Sequence, residues 1–96
     1  MVDLPALWKE HQAAPFPASC LPLSLEGLKL VKIDAAAGAI LTACLRTDGV
    51  VRPLDEERRR DLDRHRELIS RLLRELSLDG EGKAYFARLE DLSLRV

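Results

Sequence analysis

Leu62, Ile69 and Leu76 recur every seven residues, with His65, Leu72 and Leu73 set between them, inside the run DEERRRDLDRHRELISRLLREL at 55–76. That spacing lines all six side chains along one stripe of an α-helix and leaves the charged residues to the remaining surface. A helix over 53–78 follows. Pro53 suits a first turn, Asp55, Glu56 and Glu57 set negative charge at the positive end of the helix dipole, and Gly80 offers a stop. At about twenty-four residues such a helix is roughly 36 Å long, long for a single small domain. A second helix over 82–95 carries Tyr85, Phe86, Leu89 and Leu92 at helical spacing and is expected to run back antiparallel after a short turn.

The charge of the long run cancels. Seven acids (Asp55, Glu56, Glu57, Asp61, Asp63, Glu67, Glu75) face seven arginines (58, 59, 60, 64, 66, 71, 74) over 53–76. Asp55–Arg59, Glu56–Arg60 and Glu67–Arg71 have the favourable i,i+4 order, each worth about 0.2–0.5 kcal/mol. The triplet Arg58-Arg59-Arg60 points three ways around a helix, and the whole chain carries a net charge of −1. A phosphate-binding face needs an excess of basic residues on one side, so nucleic acid is not the expected partner. Asp63, His65 and Glu67 look like a metal set, yet His65 sits about 200° around the helix from Asp63. Asp61 and His65 do share a face, but no third ligand at metal-site spacing joins them, and no metal or cofactor is expected.

The first half is harder to place. Four of the five prolines (Pro5, Pro15, Pro17, Pro22) lie within 1–27 among leucines and aromatics. Asp3 can cap a short helix over 5–11, with Pro5 in its first turn. The stretch PFPASCLPL that follows cannot sustain a helix, because each proline removes a donor and restricts its predecessor. An irregular, apolar arm is expected there. Residues 28–46 read as a β-hairpin, with LKLVKID and AILTACLR as strands around AAAG and a turn at TDG, followed by Val50-Val51. The rival is a helix over 34–46 capped by Asp34, which Gly38 would weaken by about 1 kcal/mol. The expected fold class is therefore α+β in one domain: arm, hairpin, long helix and antiparallel helix, with an all-α chain as the alternative.

No catalytic pattern accompanies this fold. The chain holds no nucleophile elbow, zinc-protease helix, paired CxxC or dinucleotide fingerprint, and DGEGK at 79–83 departs from the spacing of a phosphate loop. Cys20 and Cys44 read as buried thiols, and His11 as a surface residue without a motif. No 18-residue apolar stretch is present to span a membrane. The opening MVDLP lacks a leader's basic start and apolar run, so a cytoplasmic setting is expected. The arginine-rich, lysine-poor usage suggests a bacterial source with GC-rich codons.

With 47% apolar residues and only 4% aromatic, the helices and arm offer more apolar surface than a hairpin covers. The expectation is a non-enzymatic protein that acts by protein–protein contact, most simply as a homodimer, through Trp8, Leu68, Leu72, Leu76, Leu94 and Val96. The alternative is a small-ligand binder with a pocket between hairpin and helices, for which Asp34, Cys44 and His65 are the first residues to examine. Nucleic-acid binding through the arginines ranks third.

Overall fold

Asp3 opens the first helix, α1 (Leu4–Ala13), by accepting a 3.2 Å hydrogen bond from the backbone N–H of Ala6, with Pro5 in the first turn. Proline costs nothing there, since the first-turn N–H groups have no helical acceptor. The computed structural model of the chain describes residues 3–45 and 51–96. After α1 the prolines break regularity, and only a 3-10 turn, Ala18–Cys20, interrupts the extended path. This arm lies on its own chain: Phe16 meets Tyr85 and Phe86 edge-on, with ring centroids 5.4 and 6.0 Å apart. It is also less irregular than the proline count implies, because α1 and one strand belong to it.

The hairpin exists but not where expected. β1 (Ser24–Leu25) pairs antiparallel with β2 (Leu28–Lys29), Leu25 opposite Leu28. Glu26 and Gly27 make the two-residue turn with φ of 51° and 79°. Two consecutive positive φ values suit the right-handed twist of a tight hairpin, and glycine takes the second at no steric cost. Strands of two residues are too short to show any period.

Residues assigned to a hairpin at 28–46 instead form the helix α2 (Leu30–Cys44). Leu30, Ile33, Ala37, Leu41 and Cys44 are its buried positions, a 3-4-4-3 spacing that only a helix turns to one side. The rival helical reading was right in kind but began four residues late. Asp34 does not cap the helix; Lys29 precedes it without a side-chain bond. The expected turn at 47–49 lies outside the described residues, while Leu45 and Val51 form an isolated antiparallel bridge.

The long helix, α3 (Glu56–Glu75), is shorter than 53–78. Asp55 is its cap, accepting from Arg58 N–H at 2.8 Å, and Pro53 stands outside it. The last helix, α4 (Gly80–Arg95), starts two residues before the expected 82: Asp79 accepts from Gly82 N–H at 2.8 Å. Gly80 therefore begins α4 and does not stop α3. Gly82 is packed so closely that a Cβ there would lie 2.9 Å from Cys20 Sγ.

α3 and α4 share the most extensive contact, α2 packs on α3, and α1 lies across α4. Leu30, Ile33, Leu41, Leu62, Ile69, Leu72, Phe86 and Leu89 are fully buried between them. The fold is thus α+β with a largely helical body, 35 × 26 × 19 Å across. No helix among the described residues is long and apolar enough to cross a membrane.

Candidate functional site between α1, α2 and α4

α1 turns Leu4, Leu7, Trp8 and His11 toward the protein, three and four residues apart. His11, read from the sequence as a surface residue, is 3% exposed. Its imidazole stands 4.4 Å from the Tyr85 ring and 5.7 Å from that of Trp8, centroid to centroid. Neither Nδ1 nor Nε2 has a hydrogen-bond partner among the described residues, and the same holds for Trp8 Nε1. Burial, and then the positive charge of Arg88, lower the His11 pKa to about 4. At neutral pH the ring is uncharged, with one donor and one acceptor. A buried polar atom left unpaired costs about 1–3 kcal/mol, so three of them side by side are an expensive feature for a purely structural corner.

Tyr85, on the first turns of α4, donates its hydroxyl to Asp34 Oδ1 of α2 at 2.8 Å. Burial pushes the Asp34 carboxyl above its ordinary range, and the Tyr85 hydrogen bond partly opposes this. The phenol is pushed up in turn, by burial and then by the bond and charge of Asp34, and stays protonated. Asp34 forms no ion pair among the described residues. A half-buried carboxylate held by a phenol, with a second oxygen left over, is an acceptor for a further donor.

Between α1 and α2 runs a groove. One end, about 290 Å3, is walled by Trp8, His11, Gln12, Asp34, Thr42 and Tyr85, with Ala35 and Gly38 as its floor. A Cβ added to Gly38 would stand 3.6 Å from Trp8 Cη2, an ordinary contact distance, so the tip of the indole lies beside this stretch of α2. The other end, about 510 Å3, shares Trp8, Gln12 and Thr42 and adds Arg52 and Arg58. On the far side of His11 a separate depression of about 290 Å3 carries Glu10, Arg88 and Asp91. His11 is thus a partition between two hollows.

The residues singled out from the sequence are dispersed. Asp34 is in the groove. Cys44 is buried beneath α2, donating its thiol to the Arg52 carbonyl at 2.9 Å, and burial raises its pKa. Cys20 is equally buried, against Gly82, with its pKa also raised by burial. Both thiols stay protonated, which removes the nucleophilic form. His65 donates Nδ1–H to the Asp61 carbonyl at 2.7 Å on α3, while the Asp61 carboxylate takes Arg64 at 2.7 Å. No cluster of three potential metal ligands occurs among the described residues.

Of the expected interface residues, Trp8 and Leu72 belong to the core, at 5% and 0% exposure. Leu68, Leu76 and Val96 are half-buried against it, and Leu94 is exposed. His11, Tyr85, Trp8 and Gln12 are the site residues that sequence reasoning missed as a group. Trp8 and His11 at i,i+3 on a capped helix was the available signal for the first two; nothing local joins them to Tyr85. No family model, curated protein or solved structure matches this chain.

Proposed function

We propose that the chain is a small-ligand-binding protein whose site is the groove between α1 and α2, ended by the Tyr85–Asp34 pair. The observation that carries this reading is the row of buried, unpartnered polar atoms of Trp8 and His11 beside an Asp34 carboxylate with acceptor capacity to spare. Buried polar groups are normally paired, and a ligand or ordered water with matching donors and acceptors supplies the missing partners. The nitrogens themselves are covered, so full pairing requires a small turn of the rings or of Gln12 as a ligand settles. The groove lies between helices, and no hairpin residue is in its wall among the described residues.

Binding without turnover fits the protonation states. A general base works best with a pKa near the operating pH, whereas His11 is held at about 4 and the Tyr85 phenol is pushed up. Self-association, the expectation drawn from apolar surplus, has less to stand on once the fold has covered Trp8 and Leu72. A stable dimer buries about 1,200–2,000 Å2 in total, and of the six residues put forward only Leu94 is well exposed, at 58%.

A thermal-shift screen against polar small molecules, run on the full chain and on Asp34→Asn, tests the reading. The asparagine keeps an oxygen for Tyr85 and changes the charge alone. A ligand at 100 times its Kd adds about 2.7 kcal/mol, a rise on the order of 10 °C in melting temperature for a domain this size. The expected result is a shift that Asp34→Asn removes. No shift from any compound class, or shifts indifferent to Asp34→Asn, overturns it.

A further inference from the structure

The two ends of the groove differ in charge. At one end the only ionic side chain is Asp34, and no lysine or arginine among the described residues lines it. At the other end the charged side chains among the described lining residues are Arg52 and Arg58. Trp8, Gln12 and Thr42 line both, so the two hollows adjoin along these three side chains. Resting on the ligand-site reading above, we infer that the groove takes a zwitterion with separated charges, a linear amino-carboxylate whose ammonium lies at Asp34 and whose carboxylate lies toward Arg52 and Arg58.

The uncharged groups agree with that order. An ammonium group only donates; it fits the spare acceptor capacity of Asp34 and the acceptor nitrogen of neutral His11, and it can do nothing for Trp8 Nε1–H. That indole donor requires an acceptor on the ligand. A carboxylate placed beyond the ammonium, toward the arginines, supplies one. Gln12 and Thr42 between the ends each offer both a donor and an acceptor, and so tolerate either polarity of a short backbone. Small residues on the α2 wall (Ala35, Gly38, Ala43) leave room for a narrow unbranched chain and set no pocket for a bulky side group. A simple amine leaves the arginine end unpaired, and a simple carboxylate leaves Asp34 unpaired. A single anion such as phosphate matches the arginine end only.

The experiment is a calorimetric titration of the full chain with linear ω-amino acids, from glycine to 6-aminohexanoate, alongside n-butylamine and n-butyrate. The expected result is an affinity maximum at one chain length, with butylamine and butyrate each weaker than that best zwitterion by about tenfold or more, as loss of a charge-assisted contact implies. Asp34→Asn and Arg58→Gln are each expected to lower its affinity by a similar factor while leaving the melting temperature of the free protein within a few degrees. Equal binding of butylamine and the best amino acid overturns the zwitterion and leaves a cation site. Failure of the whole series, when the thermal screen finds another ligand sensitive to Asp34→Asn, overturns the inference and keeps the site. Silence in both experiments removes both.

Discussion

The α3–α4 side and the α1–α2 side of this protein are built on opposite terms. Where α3 meets α4, the fully buried residues include Leu62, Ile69, Leu72, Phe86 and Leu89, and the polar side chains there have their partners. Ser70 donates to Glu90 across that contact, and Ser93 bonds back to the Leu89 carbonyl at 2.8 Å. Where α1 meets α2 and α4, a histidine and an indole are buried with their nitrogens unpartnered among the described residues, beside an open groove. Equal care for stability on both sides would have filled the second like the first. The difference sets the most extensive helix contact, α3 on α4, against a contact of α1 whose buried nitrogens lack partners among the described residues.

The largest expected effect is on the first side. Phe86→Ala removes a fully buried ring and is expected to cost about 3–5 kcal/mol, read as a lower midpoint in urea denaturation. If it cost less than 1 kcal/mol, the α3–α4 contact would not be the main support of the fold.

On the second side the sharpest effect is that of acid. The His11 pKa is about 4 in the folded protein against an ordinary 6.5, so the unfolded chain binds the extra proton first. Stability is complete above about pH 6.5 and falls as pH drops toward 4, by up to roughly 3 kcal/mol. Arg88, Tyr85 and Trp8 face the ring, and Arg88 works in the same direction by disfavouring its charge. Asp34 works in the other: its raised pKa makes the folded state take up a proton before the unfolded one, which returns some stability as pH falls through that window. Urea midpoints from pH 7.5 to 4 check the balance. His11→Phe is expected to flatten the decline and, at pH 7, to change stability by less than about 1 kcal/mol, because the orphaned nitrogens go with it. A loss at pH 7 as large as that of Phe86→Ala would mean His11 is well paired and the contrast is false.

Gly82→Ala bridges the two sides. Its Cβ would press on Cys20 Sγ at 2.9 Å and on Asp79 Oδ1 at 3.1 Å, the oxygen that caps α4. A cost of about 1–3 kcal/mol is expected, seen as a lower melting temperature; an unchanged one would show that the arm yields easily there.

The smallest effect belongs to the exposed ion pairs. Arg60–Glu56 and Arg95–Asp91 lie open to solvent at 2.8 and 2.9 Å, and pairs of that kind contribute about 0–1 kcal/mol. Arg60→Gln is expected to alter the urea midpoint by an amount equivalent to 0.5 kcal/mol or less. Arg71 is the exception in kind. It bonds Glu75 at 2.9 Å and Glu26 at 2.6 Å, so it joins α3 to the hairpin turn and not to Glu67 as its spacing suggested.

The same contrast explains what could be read from the sequence. α3 and α4 are amphipathic and long, and a 3.6-residue period stands out when one face is charged. Only their ends were misplaced, because Asp55 and Asp79 act as caps where Pro53 and Gly80 drew the eye. α2 hid because it is apolar almost all round: Val31, Ile40 and Ala43 blur the period set by Leu30, Ile33, Ala37, Leu41 and Cys44, and β-branched residues at both ends imitate strands. The hairpin hid because its strands are two residues long. Of the groove residues only Asp34 is singled out by the sequence as a ligand contact, Trp8 being read as an interface residue, and the Asp34 partner Tyr85 lies 51 positions away. A site assembled from three helices by long-range packing leaves no local spacing to find.

The chain has a single tryptophan, and its indole N–H is one of the orphaned donors. Its proton–nitrogen resonance is therefore a lone reporter inside the groove. On saturation with a ligand that raises the melting temperature, that resonance is expected to move downfield as Nε1–H gains an acceptor, together with the backbone signals of His11, Gln12, Thr42 and Tyr85. An indole signal that stays in place while the shifts gather around Leu94 or along the exposed face of α3 would contradict the account.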